Sequence, residues 1–149
     1  MIKQSQRLII LACGHGLNDF VAGYMLGNLL YYGAGLTFLS AGFLIYNLLA
    51  FGGQYFVALG LQKFHNNKLF LSVACSFNII AVYVFSFQPL VALVLAGMAS
   101  AIYHVSGASA CIIPEKAGTI GMFAAPGIIG LTLAGYCSYL HLDLWTWLI

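Results

Sequence analysis

The sequence predicts an all-α integral membrane protein. Hydrophobic residues make up 62% of the 149 residues and charged residues only 5%, whereas soluble domains contain about 25% charged residues. The mean hydropathy is +0.99, and the apolar residues form five runs long enough to cross a bilayer as helices. These observations exclude a soluble fold. The net charge of +2, without a cluster of lysines or arginines, also argues against nucleic-acid binding.

Polar and turn residues divide the chain into five complete spans and the start of a sixth. The predicted helices cover residues 8–32, 36–61, 69–87, 89–113 and 118–140, and a last apolar segment begins at Leu142. The first run is too long for the apolar part of a signal peptide, so we expect a permanent helix. Because no linker or low-complexity tract is visible, we expect a single transmembrane bundle over residues 1–149.

The basic residues predict how the helices are oriented. All five lie in connections on one side of the predicted bundle: Lys3 and Arg7 before the first helix, Lys63 and Lys68 after the second, and Lys116 after the fourth. By the positive-inside rule, the amino terminus of this multi-pass protein of the inner or plasma membrane is cytoplasmic. The turn at Asp143 would then lie outside. Trp145, Thr146 and Trp147 would begin an inward sixth helix or rest at the membrane interface.

The first helix carries a carboxylate at membrane depth. Asp19 is costly there unless it faces a polar cavity or a partner, so an intramembrane acid suggests a functional site. His15, Asn18 and Asp19 are spaced i, i+3, i+4, which places them on one helix face. Asp19 is a proton carrier, a part of a cation or substrate site, or a structural acceptor of hydrogen bonds, and the sequence leaves these alternatives open.

The second helix carries two amide side chains, Asn47 and Gln54, seven residues apart and therefore on one face. Hydrogen bonding to neighbouring helices is the simpler interpretation of both. In the fifth helix, Pro126 removes a backbone hydrogen bond and predicts a kink. Together with Gly127 and Gly130, it marks a hinge or a tightly packed helix contact.

The fourth helix presents a stripe of small and weakly polar residues around His104: Gly97, Ser100, Ala101, Gly107, Ala108 and Cys111. Such a stripe permits close helix packing or lines a cavity, and His104 favours a cavity. His15 lies ~7 residues from the inner end of the first helix and His104 ~9 from that of the fourth, which places both about 10–14 Å from the cytoplasmic edge. We therefore expect the two histidines at similar depth.

No catalytic motif is present. The sequence lacks a G-x-S-x-G, an H-E-x-x-H and a phosphate-binding glycine loop. Its four cysteines are isolated, which argues against a disulfide framework or a structural zinc site. We therefore expect no enzyme activity, no cofactor and no fixed metal centre.

Four motifs follow one another along the helices: His15-Gly16-Leu17-Asn18-Asp19-Phe20, Leu44-Ile45-Tyr46-Asn47 with Gly53-Gln54, Ala101-Ile102-Tyr103-His104-Val105-Ser106-Gly107, and Gly121-Met122-Phe123-Ala124-Ala125-Pro126-Gly127. Taken in this order, they resemble the amino-terminal half of major facilitator superfamily transporters, with the fosmidomycin-resistance-like drug efflux group nearest in pattern. The resemblance covers nearly the whole chain.

The resemblance implies two inverted three-helix repeats, with the first and fourth helices lining a central cavity. It also implies proton-coupled export of a small solute or drug-like molecule. The residues implied to line the cavity are His15, Asn18, Asp19, Asn47, Gln54 and His104. Because such transporters contain two bundles, the resemblance implies that this half works as a homodimer or with a complementary chain.

Two other functions fit the sequence. One is a non-transporting membrane subunit, in which the polar residues pair with helices of a larger complex. The other is a carrier of divalent metal cations with His15, Asp19 and His104 as ligands, because imidazole and carboxylate groups suit such ions. In every case the expected partners are membrane lipid and other chains, and for a carrier also a small-molecule or ion substrate.

Overall fold

The computed structural model describes residues 4–32, 35–112 and 118–144. In these residues the chain is helical and contains no strand. The helices are α1 (Gln4–Asn28), α2 (Gly35–Asn47), α3 (Gly53–Phe64), α4 (Asn67–Phe85), α5 (Pro89–Cys111) and α6 (Gly118–Tyr139). A 3-10 turn, Leu29–Tyr32, follows α1, and a π-helical turn, Leu48–Gly52, joins α2 to α3 in one 30-residue span.

Five helical spans are long and apolar enough to cross a membrane: α1, the continuous α2–α3 span, α4, α5 and α6. This confirms the predicted number of long apolar helices in the described residues. The predicted and observed bounds differ most at α1, which begins at Gln4 rather than at residue 8. The preceding Gln-Ser-Gln-Arg segment is polar but contains no helix breaker, so the helix extends beyond the apolar run.

Local sequence signals explain where the helices begin and end. Pro89 occupies the first turn of α5, where its missing N–H costs no hydrogen bond. The Asn66 side chain caps α4 by accepting a hydrogen bond from Leu69 N at 3.1 Å. His65 ends α3 in the left-handed conformation, with φ of 50°. Only two residues therefore separate α3 from α4.

The helices α1 and α5 form the centre of the bundle. In each, 56% of the most apolar stretch is buried, compared with 22% or less in the other three spans. α1 packs mainly along α6, whereas α5 packs along α4 and the α2–α3 span, and α1 and α5 also contact each other. The small residues of α5 serve this packing. A β-carbon added at Gly97 would lie 2.9 Å from Leu49 Cβ, and one at Gly107 would lie 2.8 Å from the Phe123 ring.

The described basic residues lie at one end of the bundle, as the sequence predicted for connections on the same side. Arg7 and Lys68 line one cavity together with Gln62 and Ser109, and Lys63 lies in the last turn of α3 beside it. Lys3 and Lys116 lie outside the described residues. At the other end, residues 142–144 are not helical, and Leu144 N donates a hydrogen bond to Tyr24 Oη at 2.9 Å. The predicted sixth helix, from Trp145, also lies outside the described residues.

Candidate functional site

Two histidines and an aspartate meet where α1 crosses α5. His15 and Asp19 lie one turn apart on α1, and His104 faces them from α5. The two Nε2 atoms are 2.8 Å apart, and Asp19 Oδ2 lies 3.3 Å from His15 Nε2 and 3.9 Å from His104 Nε2. We refer to His15, Asp19 and His104 as the triad. The contact between the two rings agrees with the similar depth expected for both histidines.

The other nitrogen of each imidazole is held by a backbone carbonyl. His15 Nδ1 lies 2.9 Å from Phe123 O on α6, and His104 Nδ1 lies 2.7 Å from Ser100 O on its own helix. Because a carbonyl oxygen only accepts hydrogen bonds, both Nδ1 atoms carry the hydrogen and donate it. In a neutral ring, Nε2 then presents a lone pair. The backbone therefore turns two lone pairs toward each other and toward Asp19.

A chain of amides holds the carboxylate. Asp19 Oδ1 accepts a hydrogen bond from Asn18 Nδ2 at 2.9 Å, and Asn18 Oδ1 accepts one from Asn78 Nδ2 at 2.7 Å. Oδ2 is therefore the oxygen that faces the histidines. Asn78 lies on α4 and was not among the predicted site residues. The sequence feature that could have identified Asn78 is its polar amide side chain inside an otherwise apolar run, Phe77-Asn78-Ile79.

Aromatic rings enclose one side of the triad. The His15 ring stacks on Phe123 with centroids 4.5 Å apart and on Tyr103 with centroids 6.4 Å apart. The His15 side chain is 4% exposed, whereas that of His104 is 26% exposed and that of Asp19 is 14% exposed. Access to the triad is therefore from the side of His104.

Glycines bring the α6 backbone against the triad. A β-carbon added at Gly127 would lie 2.6 Å from Asp19 Oδ2 and 2.6 Å from His15 Cε1. One added at Gly130 would collide with the carbonyl oxygen of Gly16 on α1. Pro126 lies inside α6, where its ring bends a helix and leaves a carbonyl of the preceding turn without its usual N–H partner. That carbonyl is Met122 O, and the carbonyl that His15 Nδ1 contacts is the next one, Phe123 O.

The structure brings together four of the six predicted cavity residues: His15, Asn18, Asp19 and His104. For the other two, the hydrogen bonds found are to carbonyls of their own span. Asn47 is exposed and donates to Phe43 O of its own helix at 2.8 Å, and Gln54 donates to Ala50 O at 3.0 Å. Their role in a cavity stays a prediction. From the same span, buried Tyr46 extends toward the site, with its hydroxyl 3.3 Å from Ser100 Oγ.

Comparison with protein-family models, with curated proteins and with solved structures found no match to this chain.

The arrangement selects for a positive charge. Two imidazole lone pairs and a carboxylate oxygen lie within 3.9 Å of one another. Because all three carry negative charge density, they repel one another at such distances unless a metal cation or a proton lies between them. A proton on one Nε2 would be donated to the other Nε2 and attracted by Asp19. A metal ion would instead take all three lone pairs.

Proposed function

We propose that this protein is one half of a secondary transporter of the membrane, in which the triad binds the coupling proton for movement of a small solute or drug-like molecule. The observation that carries the proposal is the convergence of Asp19 Oδ2 and both histidine Nε2 atoms between the two central helices. Intramembrane acids and histidines in such a position are the usual elements of proton relays in transporters.

The packing of the helices supports an architecture of inverted repeats like that of the major facilitator superfamily. In such repeats, the first helix corresponds to the fourth span and the second to the fifth. Here α1 packs along α6, the fifth span, and α5, the fourth span, packs along the α2–α3 span. Each central helix thus contacts the helix that follows the other one. The gathering of basic residues at one end supports a cytoplasmic amino terminus.

The charge of the triad suggests how a proton would be coupled to movement. Without a bound proton, the triad carries the negative charge of Asp19, and closing it away from water is costly. One proton shared between His15 and His104 makes the triad neutral overall and lowers that cost. The bundle would then close the site from one side of the membrane only when the proton, or another cation, is bound.

Alternating access in transporters with such repeats requires a second bundle against which the first one rocks. We therefore propose that two bundles form the transport unit. A second copy of this chain would supply the other bundle by two-fold symmetry. A complementary half-transporter chain would supply it as a heterodimer.

Asp19→Asn tests the proposal because it keeps the shape of the side chain and removes its charge. The assembly, purified from its own membrane, is reconstituted in vesicles that contain a pH-sensitive dye, and proton flux is followed under an imposed pH gradient. We expect Asp19→Asn to reduce flux to that of protein-free vesicles while the assembly keeps its mass. Asp143→Asn, the same change in the connection after α6, is the matched control and should leave flux unchanged.

Two results would contradict the proposal. One is proton flux in Asp19→Asn equal to that of the unchanged protein. The other is dissociation of the assembly in Asp19→Asn, which would show that the carboxylate joins subunits of a larger complex and that the chain is a non-transporting subunit.

A further inference from the structure

We propose that the triad binds one divalent transition-metal ion of the Zn²⁺ type, and that such ions are the solute class moved. The transported-solute part of this inference rests on the proposed function. The binding part stands on the geometry of the triad and is measurable without transport. The sequence alone left open whether His15, Asp19 and His104 bind a proton or a metal ion.

The ligand atoms have the chemistry and spacing that such an ion needs. Two imidazole nitrogens and one carboxylate oxygen suit borderline divalent metals, and one atom from each residue lies within 4.8 Å of the others. Two ligands at about 2.0–2.1 Å from a tetrahedral ion are about 3.3 Å apart. The three separations here are 2.8, 3.3 and 3.9 Å, so side-chain shifts of about half an ångström would give each ligand its bond length.

The groups around the ligands are arranged as they are around bound metals. A metal-binding histidine almost always donates its other ring N–H to a carbonyl, carboxylate or water, which fixes the ring and its tautomer. His15 and His104 both do so, to Phe123 O and Ser100 O. Asn18 holds Asp19 Oδ1 and leaves Oδ2 for the ion. All three ligands are therefore oriented before any ion arrives.

The triad would leave one coordination position of the ion open. Three protein ligands leave one tetrahedral position open, as in zinc sites that exchange a water or substrate, whereas structural zinc sites use four. The partly exposed His104 side gives that position access. The metal would bind the same Nε2 lone pairs that hold the proton, so metal binding releases the proton. This competition would couple metal movement to a proton gradient.

The first test titrates the purified full-length protein with Co²⁺, a coloured substitute for Zn²⁺. We expect one ion per chain and an absorption spectrum typical of nitrogen and oxygen ligands. His104→Ala should weaken Co²⁺ binding by at least about 10–100-fold, the loss that removal of even an outer group causes at metal sites. The double variant His65→Ala, His141→Ala removes the other two of the four histidines and should bind as the unchanged protein does.

X-ray absorption of the Co²⁺-loaded unchanged protein gives a result that needs no variant to fold. Two imidazole ligands would support the proposal. A single imidazole or none would overturn it, as would unchanged affinity in His104→Ala or loss of binding in the double variant.

A transport measurement separates this inference from the proposed function. Vesicles that contain the assembly and a fluorescent zinc chelator are given Zn²⁺ outside and a pH gradient, and Zn²⁺ uptake that His104→Ala abolishes would support both parts of the inference. If Asp19→Asn abolishes proton flux but no Co²⁺ binds, the metal inference fails and the proposed function stands. If Co²⁺ binds through the triad but neither protons nor Zn²⁺ move, the binding site stands and the proposed function fails.

Discussion

At the scale of single residues, the backbone decides the chemistry of the two histidines. Either nitrogen of a neutral imidazole can carry the hydrogen, and the partner of one nitrogen sets the state of the other. Carbonyls of Phe123 and Ser100 take the Nδ1 hydrogens. Both rings therefore offer Nε2 to Asp19 and to each other, and the proposed cation site rests on this geometry.

Asn78 supports the triad from α4 through Asn18, and its removal should be measurable. Asn78→Leu leaves Asn18 Oδ1 without its hydrogen-bond donor, so we expect the free energy of unfolding to fall by about 1 kcal/mol, as for other hydrogen bonds between membrane helices. Co²⁺ binding should weaken as well, because Asn18 orients the carboxylate. Denaturation in detergent and Co²⁺ titration measure the two effects.

Asn47→Leu is the matched control for that experiment. Asn47 is exposed and bonds only to Phe43 O of its own helix among the contacts described here, so the same substitution should change stability and Co²⁺ affinity very little. Equal effects of the two substitutions would show that the amide chain from Asn78 to Asp19 does not support the site.

At the scale of helices, the approach of α6 to α1 depends on glycine. Gly16, Gly127 and Gly130 lie at the crossing, where an added β-carbon has no room. Close approach of this kind is what small residues provide between membrane helices. It allows a main-chain carbonyl of α6 to reach the His15 ring on α1. The contact between α1 and α6 thus places a main-chain carbonyl, rather than a side chain, against the triad.

Gly127→Ala should disturb the triad, although Gly127 is not one of its three residues. The added methyl group would lie 2.6 Å from Asp19 Oδ2, and overpacking of this kind typically costs about 1–3 kcal/mol. We expect a lower unfolding temperature and weaker Co²⁺ binding. Calorimetry or scanning fluorimetry in detergent, followed by Co²⁺ titration, measures both.

The same change at Gly121, on the same helix, is the control. An added β-carbon there has nothing within 4 Å, and alanine is favoured over glycine in a helix by up to about 1 kcal/mol. Gly121→Ala should therefore be neutral or stabilising with unchanged Co²⁺ affinity. Equal behaviour of the two variants would contradict the close α1–α6 contact.

At the scale of the whole molecule, the central and peripheral helices differ in the share of their apolar residues that is buried. The described parts of α1 and α5 are largely enclosed, whereas the α2–α3 span, α4 and α6 leave most of their apolar residues uncovered. Lipid can cover such faces. In the proposed transport unit, some of them would instead contact a second bundle.

Native mass spectrometry of the protein released gently from its own membrane tests this arrangement. We expect this bundle to be bound to a second one, either as a homodimer or with an unlike chain. The reason is that two bundles are needed for alternating access. As a control for mass contributed by bound lipid, the measurement is repeated after a stronger detergent has removed the lipid. The mass of the assembly should then be retained. A chain released only as a monomer would contradict the proposal.

The sequence by itself determined the all-helical class, the five long apolar spans and four members of the polar cluster. Hydropathy and helical spacing suffice for these because both depend on neighbours along the chain. Helical spacing placed His15, Asn18 and Asp19 on one face, and counting residues from the helix ends placed His104 at similar depth.

Only the tertiary structure decided which groups complete the site. The Phe123 carbonyl has no side-chain signal, and Asn78 joins the site through the packing of α4 near α1. Asn47 and Gln54 both bond to carbonyls of their own span, whereas Tyr46, the residue before Asn47, bonds to Ser100 on α5. Periodicity shows which residues of a helix lie together. The direction in which a face points is set by contacts with other helices, and these contacts depend on residues far apart in the chain.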